Sequence, residues 1–385
     1  MGVLVDYLKW RGDLSFEAAP FNEVDGAILS LVVYLPLEEV VGDAFGGKRP
    51  SIEKICSTVE KKSILMDLTE LCSNLKVSSR FKDIRLEKFT NRLKEKKNEQ
   101  FAAVCARISP QQTAVIFRGT DATIVGWREN MDLAYNDQVP SQKDAVAYLQ
   151  SAARHYEGDL LVVGHSKGGN LAVYSGAFSN EQTKAKVKAV YNYDGPGFNS
   201  NVVEAPQLKE AVPKVHTFVP QNSLIGILLD HAEKYQVIRS ENSTGVTQHL
   251  PLSWEVQRDH FTVLEEMAWS GGAIKNVLNT WISNLPEEKK VVFIDRLFGL
   301  FDEAEINTVG DLKNLKNLYA ALKAFESLDD ESKGQIEQVI GQLISTAKTM
   351  ARDDVRSDKE ALTDAIKEKF SEVVGSVRPD RTLKK

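Results

Sequence analysis

The chain reads as an α/β protein, a mostly parallel central sheet flanked by helices, with an added C-terminal helical region. Three observations predict it. Between residues 101 and 239, short β-branched runs alternate with longer stretches whose apolar residues recur at helical spacing, the pattern of parallel strands joined by crossover helices. Within that region the apolar run Leu160-Leu161-Val162-Val163 ends in Gly164-His165-Ser166-Lys167-Gly168 and turns directly into helix-compatible Asn170-Leu171-Ala172-Val173-Tyr174. Beyond Pro286 glycine becomes scarce and charge-laced amphipathic sequence takes over.

With 385 residues, 42% hydrophobic and 26% charged, the chain is long enough for one large and one smaller domain. We expect an α/β domain with an N-terminal helical segment over residues 1–280, a helical domain or arm over 286–377, and a frayed tail over 378–385. A formal net charge of -6 lacks the basic excess of a nucleic-acid partner. Cys56, Cys72 and Cys105 are odd in number and unpatterned in spacing, so neither a disulfide framework nor a metal-ligand set is expected. They read as buried thiols in a reducing compartment, and no cofactor is implied. The start of the chain lacks a basic region and carries Asp6 where a signal peptide needs apolar residues. No window approaches the roughly twenty apolar residues of a membrane span. The expectation is a cytoplasmic protein with no integral membrane segment.

Taken in order, Asn22 is a cap-like start for a buried helix that Pro36 stops. Residues 51–100 alternate apolar residues with Lys and Glu at helical spacing and predict two or three helices, with Lys94-Glu95-Lys96-Lys97 as a solvated helix end. Residues 101–108 and 113–117, around Ser109-Pro110-Gln111-Gln112, predict a hairpin whose second strand runs into Arg118-Gly119-Thr120-Asp121. Residues 141–156 predict a helix. Strands are expected at 187–193, ending in Asp194-Gly195-Pro196, at 215–219, ending in Gln221-Asn222-Ser223, and at 235–239, followed by a polar loop to His249. The stretch between Trp254 and Trp269 predicts a closing helix. Segments 289–301, 309–328, 331–350 and 359–374 predict three or four C-terminal helices, a surface for a second copy or a protein partner.

The chemistry centres on Gly164-His165-Ser166-Lys167-Gly168, a G-x-S-x-G motif. A serine between glycines is most often a turn. Here a hydrophobic strand precedes it and a small-residue helix follows, the setting of a nucleophile elbow in which a strained turn lifts the hydroxyl above the sheet edge. Ser166 is therefore the candidate nucleophile. Serine needs a base, and a carboxylate to fix that base's tautomer. Of six histidines, four follow Ser166. His216 lies in a strand and His231 in a helical-looking segment, both suited to packing. His249 closes the loop after the last strand and is the candidate base, with His260 as runner-up. For the acid, Asp194 at a strand tip is favoured over Asp230. The Lys167 backbone N–H is one oxyanion donor, and Thr120, at the strand–loop junction after Phe117, is the other.

Two motifs, Ile116-Phe117-Arg118-Gly119-Thr120 with Trp127 and Asp132 following, and Val163-Gly164-His165-Ser166-Lys167-Gly168-Gly169, resemble the paired signature of the fungal-type triacylglycerol lipases, lipase class 3. More closely, the Asn22-x-x-Asp25 helix start, Tyr193-Asp194-Gly195-Pro196-Gly197-Phe198 and Gln248-His249-x-x-x-Ser253-Trp254 resemble an uncharacterised bacterial family related to those lipases. The resemblance covers about residues 1–270. It implies an α/β-hydrolase fold and a serine esterase mechanism, with Ser166 as nucleophile, Thr120 as oxyanion donor and His249 as base. Class 3 lipases carry their acid where this chain has Asn222-Ser223. Either Asp194 takes over from the neighbouring strand, or Asn222 or Ser223 orients the histidine weakly, or the triad is crippled. The short 121–129 connection also shows no obvious apolar lid.

The expected activity is hydrolysis of an acyl ester, with lysophospholipid and thioester substrates equally open. The alternative is a degenerate hydrolase that binds or scaffolds through its C-terminal helices. A peptidase or acyltransferase on the same fold is a third reading.

Overall fold

The computed structural model describes residues 2–58, 68–94, 99–120, 132–133, 136–223, 225–242 and 248–267, together with Gly334. Everything below belongs to the first of two compact units, Met1–Leu328. The expected C-terminal helices and tail, Trp127 and the 121–129 connection lie outside the described residues.

Among the described residues, eight strands join one sheet in the order β1 (Arg85–Lys94), β2 (Glu99–Ser109), β3 (Gln112–Phe117), β4 (Asp159–His165), β5 (Val187–Tyr193), β6 (Val215–Pro220), β7 (Gln236–Ile238) and β10 (Val263–Leu264). From β3 to β7 the neighbours are parallel, while β1–β2–β3 and β7–β10 pair antiparallel at the two sides. A mostly parallel sheet flanked by helices, with a strand–serine–helix turn in its middle, is the α/β-hydrolase architecture.

The twofold period of the strands sorts the core into two. Val104, Ala106, Ala114, Ile116, Leu161 and Val163 face α1 (Leu4–Arg11), α2 (Glu23–Val32), α3 (Ile52–Thr58) and α4 (Thr69–Leu75). Ala103, Cys105, Val115, Phe117, Leu160 and Val162 face α5 (Pro140–His155) and α6 (Lys167–Phe178). With helices on both faces, the central strands read as unbroken apolar runs rather than alternating ones. Each Val, Leu or Ile so buried contributes roughly 1.5–3 kcal/mol.

The N-terminal segment is built in rather than appended. Asn22 caps α2, its Oδ1 accepting from the amides of Val24 at 2.9 Å and Asp25 at 3.1 Å, while Asp25 accepts from the Asn22 amide at 2.9 Å. Arg80, just after α4, donates to both oxygens of Asp25 and to the carbonyls of Leu14, Ser15, Ala19 and Pro20. Both side chains of this ion pair are fully buried. Gly2 pairs with Val256, and the Phe261 amide donates to Glu23 at 2.8 Å.

Two expectations are corrected. Residues 51–100 hold α3 and α4, but 85–94 form β1 rather than a further helix, so Lys94 ends a strand. The pairing register shifts between Glu87 and Thr90, with Lys88 at φ 57°. That bulge places Leu86 and Phe89, three apart, on the same buried side, and so imitates a helical period. The closing helix is likewise absent from 254–267, where β8 (Val256–Gln257) and β9 (His260–Phe261) form a hairpin ahead of β10. Strands two residues long are too short to display an alternation.

Candidate active site

Ser166 sits between β4 and α6 at φ 60°, ψ -134°, a left-handed-side conformation that costs a non-glycine residue of order 1–3 kcal/mol. Its amide donates to the Tyr193 carbonyl at 2.9 Å and its carbonyl accepts from Gly169 at 2.8 Å, so both neighbours hold the turn. A Cβ on Gly164 would run into the Gly168 carbonyl oxygen, which is why the strand enters the turn on glycine. Lys167 follows as the first residue of α6. Its side chain is buried, and Nζ donates to the Gln100 carbonyl at 2.7 Å and to Gln100 Oε1 at 2.9 Å.

Asp194 directly follows β5, the strand next to β4, and like Ser166 is a non-glycine residue at positive φ, 52°. Its carboxylate is fully buried and takes three donors. His249 Nδ1 lies 2.7 Å from Oδ2, the Ser223 hydroxyl donates to Oδ1 at 2.5 Å, and the Gly226 amide donates to Oδ1 at 3.1 Å. A carboxylate at Nδ1 fixes the proton there and leaves Nε2 of His249 as the basic nitrogen. The His249 ring packs against that of His165, the residue before Ser166, with centroids 4.6 Å apart and the planes tilted by 38°.

The junction after β3 closes the other side. A Cβ on Gly119 would stand 2.8 Å from Ser166 Cβ and 2.7 Å from the His165 carbonyl oxygen, so the chain passes Ser166 at a distance open to glycine alone. Thr120 is the next residue. Arg118 donates to Asn91 at 3.0 Å and braces this turn against β1.

The structure thus brings Ser166, Lys167, Asp194, His249 and the Gly119-Thr120 turn to one edge of the sheet. It leaves Asp230 apart, its backbone bridged to Phe198 and its side chain exposed. His260 is exposed beside Asp259, and His216 stacks on Tyr191. The segment holding His231 is a series of turns rather than a helix, and its imidazole is wedged between Glu233 and the Gly226 carbonyl. Ser223 and Gly226 as partners of Asp194, and Tyr34 as a partner of His165, went unread in the sequence. A serine followed three residues later by glycine at a strand tip was the one available signal for the former.

His165 is fully enclosed. Burial and the neighbouring His249 hold its imidazole well below the usual histidine range, against a smaller upward pull from its hydrogen bond to the His249 carbonyl. The three cysteines are free and buried; burial raises the Cys105 thiol to about 12.

A family model described as Mbeg1-like matches residues 75–299. The chain belongs to the Mbeg1-like family. No curated protein matches it. Among solved structures, this Mbeg1-like chain is similar to a mutant form of MDLA from Penicillium cyclopium, at 13% identity and a TM-score of 0.38 over 64% of this chain and 87% of that one. It is also similar to the Rhizomucor miehei lipase in its propeptide complex, at 14% identity and a TM-score of 0.36 over 64% and 78%, and to M37 lipase, at 11% identity and 0.34 over 53% and 69%. Among the described residues no helix is long and apolar enough to cross a membrane.

Proposed function

We propose that this protein is a serine hydrolase that cleaves acyl esters through an acyl-enzyme on Ser166. The observation that carries the reading is the 2.7 Å hydrogen bond between His249 Nδ1 and buried Asp194, made beside the strained elbow serine. In this scheme His249 Nε2 takes the Ser166 proton as the hydroxyl attacks the carbonyl carbon. The Lys167 and Thr120 backbone amides receive the oxyanion, and the imidazolium returns its proton to the leaving alcohol. Water then repeats the sequence and releases the acid. Asp194, bonded to Nδ1, holds the imidazolium in place. The chemistry uses side chains and backbone amides and calls for no cofactor.

The competing scaffold reading draws on a missing acid and on the added C-terminal region; the Asp194–His249 bond answers the first ground and supports the hydrolase. Fluorophosphonate labelling of the wild type beside Ser166→Ala, His249→Ala and Asp194→Asn tests it. Labelling that requires Ser166 and His249 is expected. An unlabelled wild type overturns the proposal. A series of p-nitrophenyl esters, a lysophospholipid and an acyl thioester, run side by side, then sorts the substrate class.

A further inference from the structure

We propose that His165 is a positioning residue which, through a one-way hydrogen-bond chain relayed by Tyr34 from the Gly119 turn, clamps the His249 loop onto the nucleophile elbow. This rests on the serine-hydrolase reading above.

The direction of the chain follows from its last link. His165 Nε2 lies 2.8 Å from the His249 carbonyl oxygen, which can only accept, so Nε2 carries the hydrogen. The ring is buried and held neutral, so Nδ1 is bare and can only accept. Tyr34 Oη is 3.1 Å from Nδ1, and its hydroxyl hydrogen therefore points there. The same oxygen accepts from the Gly119 amide at 2.9 Å. The hydrogens thus run from Gly119 to Tyr34, from Tyr34 to His165 and from His165 to His249.

Each link fixes a part the reaction needs. Gly119 precedes the oxyanion donor Thr120, His165 precedes the nucleophile, and His249 is the base. Gln248, the residue before His249, is tied down separately, the Trp254 indole N–H donating to its carbonyl at 2.7 Å. A histidine kept for bulk would be replaceable by leucine. Here leucine leaves the His249 carbonyl and the Tyr34 hydroxyl without this partner, whereas a glutamine amide N–H reproduces the donor at Nε2.

Two measurements on the full chain test the relay. Nitrogen NMR of ¹⁵N-histidine-labelled wild type at neutral pH should report a protonated Nε2 and a bare Nδ1 at His165, with Nδ1 shifting in Tyr34→Phe. The opposite tautomer, or a doubly protonated ring, overturns the relay without relying on any variant that fails to fold. In p-nitrophenyl acetate hydrolysis, His165→Leu should lose about 100-fold in kcat with KM little changed, the scale of a misplaced catalytic group. His165→Gln should recover most of that loss. A labelled wild type with a fully active His165→Leu, or a folded Gln variant as poor as the Leu variant, overturns the relay alone. A wild type that fluorophosphonate does not label, with the tautomer as expected, overturns the hydrolase reading and the catalytic role of the relay with it.

Discussion

The Ser223 hydroxyl donates to Asp194 Oδ1 at 2.5 Å, on the carboxylate whose other oxygen holds His249. Ser223 follows β6, the strand beyond the one that leads into Asp194, so two adjacent strand tips together hold the His249 imidazole. A hydrogen bond to a charged acceptor is worth about 1.5–3 kcal/mol. Ser223→Ala is expected to lower kcat for ester hydrolysis roughly tenfold, and Asp194→Asn about 10⁴-fold through the wrong tautomer. Steady-state kinetics of the two variants on one ester, with KM compared, checks both.

Strain at the elbow gives a second expectation. Ser166→Gly relieves the positive φ and should raise stability by about 1 kcal/mol, because the relief exceeds the entropic penalty of glycine. Urea denaturation midpoints of wild type and variant measure the gain. Hydrolysis should be lost in the same protein.

His165 makes stability depend on pH. Its folded-state pKa lies below the ordinary value near 6.5, so its contribution is fully present above that pH. As the pH falls below 6.5, the unfolded chain binds a proton that the folded one refuses, and stability drops by up to about 1.4 kcal/mol per pH unit. His216, also depressed by burial, acts in the same sense but is common to wild type and variant. The stability advantage of wild type over His165→Gln should shrink between pH 7 and 5. Denaturation curves at three pH values that stay parallel would contradict this.

Arg80 and Asp25 form an ion pair with no exposure on either side, and removing one partner strands the other. Arg80→Met should destabilise by about 3–5 kcal/mol. Adding Asp25→Asn should recover part of that, since the buried charge then disappears. A thermodynamic cycle over the two single variants and the double variant gives the coupling.

Much of this site was legible because it is local. The elbow, the β5 tip at Asp194 and the loop ending in His249 each announce themselves within a few residues. Asp194 could be preferred to Asp230 because a carboxylate ending a strand next to β4 points to the same sheet edge without further assumption. Contacts across long separations were not legible: Tyr34 meets His165 at a separation of 131 residues, and no composition or period encodes that pairing. The strand at 85–94 was misread because its bulge turned a twofold period into a threefold one. The hairpin at 256–261 was misread because it is shorter than any period.

The bond between Gly2 and Val256 also bears on how the chain is made. The helices nearest the start of this sequence need Arg80 to hold them, Phe261 to meet Glu23, and Val256 to pair with Gly2. During synthesis they emerge early and wait, with an apolar face uncovered, until residue 261 has cleared the ribosome. Such long-range closure slows folding and exposes the unfinished chain to aggregation. Chains truncated before residue 256 should therefore accumulate in the insoluble fraction, even though Ser166, Asp194 and His249 are already present in them.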